Sequence, residues 1–142
     1  MLSENLNKSL INFDLNPTNI ETTVKASISE DLSGGVDVTS NSTIPENQVS
    51  SAEFRARRSG VVAGLWVAAA VLEVVGLNDY QILVDEGSRV DAGEILIRVH
   101  GNTRKILLAE RTALNFLGRL SGIATLTNKW VMQIAGSKAK IR

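Results

Sequence analysis

Ile106–Thr127, ILLAERTALNFLGRLSGIATLT, contains no proline and is long enough for several helical turns. At about 100° per residue, Leu107, Leu108, Leu114, Phe116, Leu117, Leu120 and Ile123 point in most directions. They leave no broad polar face, which predicts a helix packed on most sides. One narrow strip differs: Arg111, Asn115, Gly118 and Gly122 fall within about 40° of each other. This reads as a small slot between leucines with a cation in it. An arginine buried there is expected to meet an anion, because its planar fork suits a carboxylate or phosphate. That anion can be structural, Glu110 or an acid from another segment, or it can be a ligand.

The rest of the chain is ordinary in bulk. Its 142 residues suffice for one domain, or one domain and a piece of another, with 44% apolar and 21% charged residues. Fifteen basic and fifteen acidic side chains cancel, which argues against a general nucleic-acid or membrane-surface role. Without cysteine there is no disulfide framework and no thiolate chemistry, and the single His100 excludes a multi-histidine metal centre. The amino terminus, MLSENLNKSL, has no apolar core of signal-peptide length. The longest apolar run, about Val61–Val75, is broken by Gly64 and Glu73 and is too short to span a bilayer. A cytoplasmic protein is expected.

Upstream of the long helix the signals alternate. Asn16 can cap a helix and Pro17 suits its first position, while Ile20, Val24, Ile28 and Leu32 recur at four-residue steps. That helix runs out at Glu30-Asp31-Leu32-Ser33-Gly34-Gly35, before the polar loop Val36-Asp37-Val38-Thr39-Ser40. From Ser51 the period becomes two: Ala52, Phe54 and Ala56 alternate with Glu53, Arg55 and Arg57, a half-buried strand that Gly60 ends or kinks. Arg55, Arg57 and Arg58 read as a basic but solvated face. Leu65–Val75 reads as a short helix stopped by Gly76. Strands follow at Tyr80–Val84 and Ile95–Val99, with a shorter one bracketed by Gly87 and Gly93. The run EGSRVDAGEILIRV resembles half of a biotinyl or lipoyl carrier, but no lysine lies between Lys25 and Lys105 to carry the group. His100, at a strand end, reads as a structural residue. Beyond the long helix, Lys138–Arg142 reads as the start of a strand.

Ala109–Thr127, AERTALNFLGRLSGIATLT, closely resembles the signature helix of the decarboxylating quinolinate phosphoribosyltransferases, the nicotinate-nucleotide pyrophosphorylases of NAD biosynthesis. EDL, GG and DVTS resemble the same family's early loop, to which no chemistry is assigned. The resemblance implies that Arg111 reaches across a dimer interface to hold a dicarboxylate substrate. Asn115 and Arg142 join it as substrate-binding candidates by position, whereas Arg119 and Arg104 read as charges off the slot. It further implies quinolinate and phosphoribosyl pyrophosphate as substrates, magnesium bound with the latter, and a homodimer with a shared site. The α/β barrel that carries most phosphate and carboxylate ligands is expected to follow this chain, which therefore holds no catalytic residue and no metal ligand of its own. The expected fold is α+β: a small, mostly antiparallel sheet covered by helices over 1–105, then the signature helix and a first strand over 106–142. The alternatives are a non-catalytic dimerising module and a molybdenum-linked homologue with another substrate.

Overall fold

The structure is a computed structural model and describes residues 1–32 and 42–141. The turn expected at Gly34-Gly35 and the loop Val36–Ser40 lie outside the described residues. In chain order the elements are α1 (Glu4–Asn12), α2 (Pro17–Asp31), β1 (Val49–Arg55), β2 (Gly60–Val61), α3 (Leu65–Val74), β3 (Asp79–Ile82), β4 (Arg89–Val90), β5 (Ile95–Asn102) and α4 (Thr103–Gln133). The strands pair antiparallel in two small sheets, ordered β1-β5-β3 and β2-β4. This is the α+β arrangement expected, with helices against one face of the larger sheet.

Register explains which face is covered. Phe54 pairs with Ile97 and Ala52 with Val99, and on the other side of β5 Ile82 and Tyr80 oppose the same two residues. Ile97 and Val99 are buried. Their neighbours, Ser51, Glu53, Arg98, His100 and Asp79, form the opposite, solvated face. There Glu53 binds both Arg55, at 2.5 Å, and Arg98, at 3.1 Å. These two guanidinium groups, Arg55 first, hold the Glu53 carboxyl below its ordinary value. Arg55 also donates to the Gly93 carbonyl at 2.9 Å, and Arg55, Arg57 and Arg58 are all exposed, the solvated face expected. His100 Nδ1 lies 2.9 Å from Ser51 Oγ across the strands.

Helix α3 is the middle of the core. Leu65 and the whole run Val67–Leu72 are buried, and its three consecutive alanines leave neighbouring helices room to approach. Gly64, at φ +92°, starts it without a capping side chain. The cap comes instead from Glu86, whose carboxylate accepts from the backbone N–H of Gly64 at 2.5 Å and of Leu65 at 2.8 Å. A carboxylate is the favoured partner at the positive end of a helix.

Two elements depart from expectation. Helix α1 forms where none was foreseen: Ser3 accepts from Leu6 N, and Leu2, Leu6 and Leu10 are all buried. Glu73 of α3 clasps it, accepting from Ser3 N at 2.6 Å and Ser3 Oγ at 2.7 Å, and from Tyr80 Oη at 2.8 Å. Conversely, residues 138–141 have no regular structure, because a strand needs a neighbour to bond with and none of the described strands lies beside them.

Helix α4 sits on the segment Gly60–Gly64. Thr125 Oγ1 accepts from Val61 N at 2.9 Å and donates to Val61 O at 3.3 Å; Ser121 Oγ does the same for Ala63 at 3.0 and 3.2 Å. The approach demands glycine at both ends. A Cβ on Gly60 would stand 2.6 Å from Thr125 Oγ1, and one on Gly64 2.7 Å from Leu120 Cδ1.

Two stability measurements follow. Gly64→Ala should lower the stability read from urea unfolding by about 1–3 kcal/mol, from positive φ plus the Leu120 contact. Gly87→Ala, with φ +81° but nothing within 4 Å, isolates the backbone contribution. Equal losses would show that the Leu120 contact adds nothing. Burial first, then the hydrogen bond to Glu73, raises the Tyr80 phenol above its ordinary value of about 10. The folded state thus holds that proton more tightly than the unfolded chain. Its contribution is complete below about pH 10 and fades as pH rises towards the folded value. Tyr80→Phe should leave urea midpoints below about pH 9 without this dependence and remove this part of the alkaline decline between about pH 10 and pH 12.

Candidate functional site

Asn102 caps α4 by accepting from Lys105 N at 3.2 Å, and the helix then runs for 31 residues. Ile106, Ala109, Thr112, Ala113 and Leu117, spaced by three and four residues, are its buried face. Packing on most sides is therefore not what this chain shows. Leu107, Leu114, Ile123, Leu126 and Trp130 are 39–57% exposed, since the chain's own elements cover only one side of the helix.

The strip of Arg111, Asn115, Gly118 and Gly122 lies on the uncovered side, and all four residues are exposed. It is an open strip and not a walled slot: a Cβ at Gly118 or Gly122 would meet nothing within 4 Å. With its side chain 76% exposed, Arg111 is under no burial penalty that forces an anion on it. The structure does bring an acid from another segment, as one of the two readings required. Asp31, the last residue of α2, places Oδ1 3.7 Å from Arg111 Nε and accepts from the buried Thr112 Oγ1 through Oδ2 at 2.6 Å. Among the described residues Asp31 is the ion-pair partner of the Arg111 guanidinium, and the terminal nitrogens of Arg111 donate no hydrogen bond.

Of the other candidates, Asn115 shares the strip one turn on, and Arg142 lies outside the described residues. Arg119 is exposed to one side of the strip. Arg104 is not off the strip as expected. Seven residues before Arg111, it returns to the same side of the helix after about two turns. Its guanidinium is committed there, Nε and Nη2 donating to the Ile44 carbonyl at 2.8 and 2.5 Å. Nothing local in the sequence singles out Asp31, because an acid at a helix end next to a polar loop looks solvated. The signal that could have found it is the adjacency of Arg111 and Thr112, two side chains able to hold one carboxylate.

Beside the strip, β1 and α4 enclose a shallow groove walled by Ala52, Phe54, Ile106, Leu107 and Leu114, with Ser50 and Thr103 hydroxyls 2.7 Å apart at its floor. Among the described residues no three histidine, cysteine, aspartate or glutamate side chains converge as metal ligands, and no helix is long and apolar enough to cross a membrane.

Comparison with known proteins agrees with this architecture. Residues 37–121 match the family described as quinolinate phosphoribosyl transferase, N-terminal domain. The chain is 42% identical over 123 residues to the nicotinate-nucleotide pyrophosphorylase [carboxylating] of Mycobacterium leprae, a match spanning 84% of this chain and 43% of that protein. It is 39% identical over 107 residues to the mitochondrial quinolinate phosphoribosyltransferase [decarboxylating] 2b of Nicotiana tabacum, covering 75% and 30% of the two. The solved nicotinate-nucleotide pyrophosphorylase of Francisella tularensis superposes with a TM-score of 0.80 at 32% identity, over 89% of this chain and 45% of that one. The chain thus spans less than half the length of these relatives, and over that span fold and sequence agree: it belongs to the quinolinate phosphoribosyltransferase family, whose N-terminal domain it carries.

Proposed function

We propose that this chain is the substrate-holding N-terminal part of an enzyme that joins quinolinate to phosphoribosyl pyrophosphate, releasing carbon dioxide and pyrophosphate and yielding nicotinate mononucleotide. The observation that carries this reading is Arg111, a 76% exposed cation on the bare strip of α4 whose terminal nitrogens donate no hydrogen bond among the described residues. Quinolinate is a dianion, and a guanidinium fork binds a carboxylate by two parallel hydrogen bonds. Held this way, the pyridine ring is oriented before it meets the phosphoribosyl carbon, and positioning of that kind lowers the barrier to joining two molecules.

The uncovered leucines bear on where the rest of the site lies. Leu107 and Leu114 flank Arg111 on the side of α4 that the chain leaves bare, and Leu126 is exposed further along the helix, a surface suited to a second copy. In a homodimer Arg111 would project from one protomer into the substrate pocket of the other, and the partner would exclude water around the charge pair. Asn115, one turn on, supports the same carboxylate or the ring nitrogen through its amide. Magnesium would be held with phosphoribosyl pyrophosphate, and among the described residues no three metal-ligating side chains converge, so no described residue is assigned to it.

In the whole enzyme that carries this chain, Arg111→Ala should weaken quinolinate binding, measured by titration calorimetry, by roughly 2–5 kcal/mol. Unchanged affinity in a folded variant would remove Arg111 from the site. Leu114→Glu tests the assembly: sedimentation should show monomers at concentrations where the parent is dimeric, with turnover lost although Arg111 is intact. A monomeric variant that keeps full turnover would refute a shared site.

A further inference from the structure

Arg111 does not stand alone, and its setting suggests how it is aimed. Arg111 and Thr112 are consecutive on α4, and each addresses a different oxygen of one carboxylate, that of Asp31. The Thr112 end is fixed: its side chain is buried and the O–H donates at 2.6 Å. Asp31 is itself only 26% exposed, against 76% for Arg111. The anchored partner is thus the acid, and the mobile one is the arginine. The contact is made at Nε, 3.7 Å away, on the inner edge of the guanidinium. Its two terminal nitrogens donate no hydrogen bond among the described residues and so keep their donors for a fork.

The location of Asp31 strengthens the point. It is the final residue of α2, whose last turn holds no basic side chain, so its charge sits at the negative end of a helix with no local compensation. The compensating cation comes from α4. We propose that Asp31 is a positioning residue, which together with Thr112 fixes the direction in which Arg111 presents its terminal nitrogens to a dicarboxylate substrate. The proposal rests on the reading of Arg111 as a substrate ligand. Asp31 does not occupy the substrate's place, since it engages Nε and is tethered to a buried hydroxyl.

The test is steady-state kinetics of the whole enzyme that carries this chain, with Asp31→Asn, Arg111→Ala and the double variant compared. Asp31→Asn should raise the KM for quinolinate about tenfold, while kcat and the KM for phosphoribosyl pyrophosphate stay within about twofold. In the Arg111→Ala background it should add nothing. Thr112→Val should shift the quinolinate KM in the same direction, and Thr112→Ser should restore it; this pair decides the matter if Asp31→Asn does not fold. An unchanged quinolinate KM, or an equal rise with Arg111 already removed, overturns the positioning role. A lowered KM would mean that Asp31 competes with the substrate for Arg111, which also overturns it. If Arg111→Ala itself leaves quinolinate binding unaltered, the reading of Arg111 falls, a result separate from any outcome at Asp31.

Discussion

Helix α4 replaces a missing strand, and the rest of the structure depends on that substitution. Successive backbone groups of an extended segment point to opposite edges. On one edge of Gly60–Gly64, Val62 exchanges hydrogen bonds with the β4 side, donating to Ser88 O at 3.0 Å and accepting from Gly87 N at 2.9 Å. On the other edge, Val61 and Ala63 would be left unpaired. The hydroxyls of Thr125 and Ser121 satisfy them, each as acceptor and donor at once. The spacing allows it: four helical residues rise about 6 Å, close to the roughly 6.7 Å between alternate residues of a strand. Buried or half-buried backbone groups without a partner cost about 1–3 kcal/mol each, so this match fixes both the height and the rotation of α4. Rotation is what decides that Arg111 faces outward.

The same seat ties α4 to the core helix. Gly64 ends the seat and begins α3, and its N–H is held by Glu86. Leu120 packs over Gly64 where any side chain would intrude. A shift of α4 would therefore disturb the start of α3, around which α1 and α2 are packed. Arg111 is carried on the same helix that is tied to Gly60–Gly64 and to the start of α3.

Sequence reading was strongest where one element's own pattern sufficed. Asn16 and Pro17 started α2, the alternation at Ala52 and Phe54 marked β1, and Gly76, at φ +82°, stopped α3. It was weakest where the partner lies far away. Ser121 and Thr125 look like ordinary polar positions in a helix, because nothing local shows that a strand edge sits against them. Leu2, Leu6 and Leu10 do have helical spacing, yet three leucines in a polar terminus signal little until α3 is there to receive them. The full girdle of leucines on α4 was read as burial. Periodicity reports that a surface is apolar, and it does not say whether the covering surface belongs to the same chain.

Asp31 shows how a broken local rule can mark a site. Two acids, Glu30 and Asp31, end α2 where the helix dipole already supplies negative charge, and no basic residue follows in that turn. In isolation that sequence weakens the helix. Its compensation is non-local, from Thr112 and Arg111 of α4. The arrangement also shapes the field around Arg111: the side facing α2 is negative, from both the carboxylate and the helix end. The terminal nitrogens, which donate no hydrogen bond among the described residues, lie on the other side of the guanidinium. An anion is repelled from the first side and attracted to the second. If Arg111 meets an anion, as proposed above, the favoured approach is therefore from the bare face of α4.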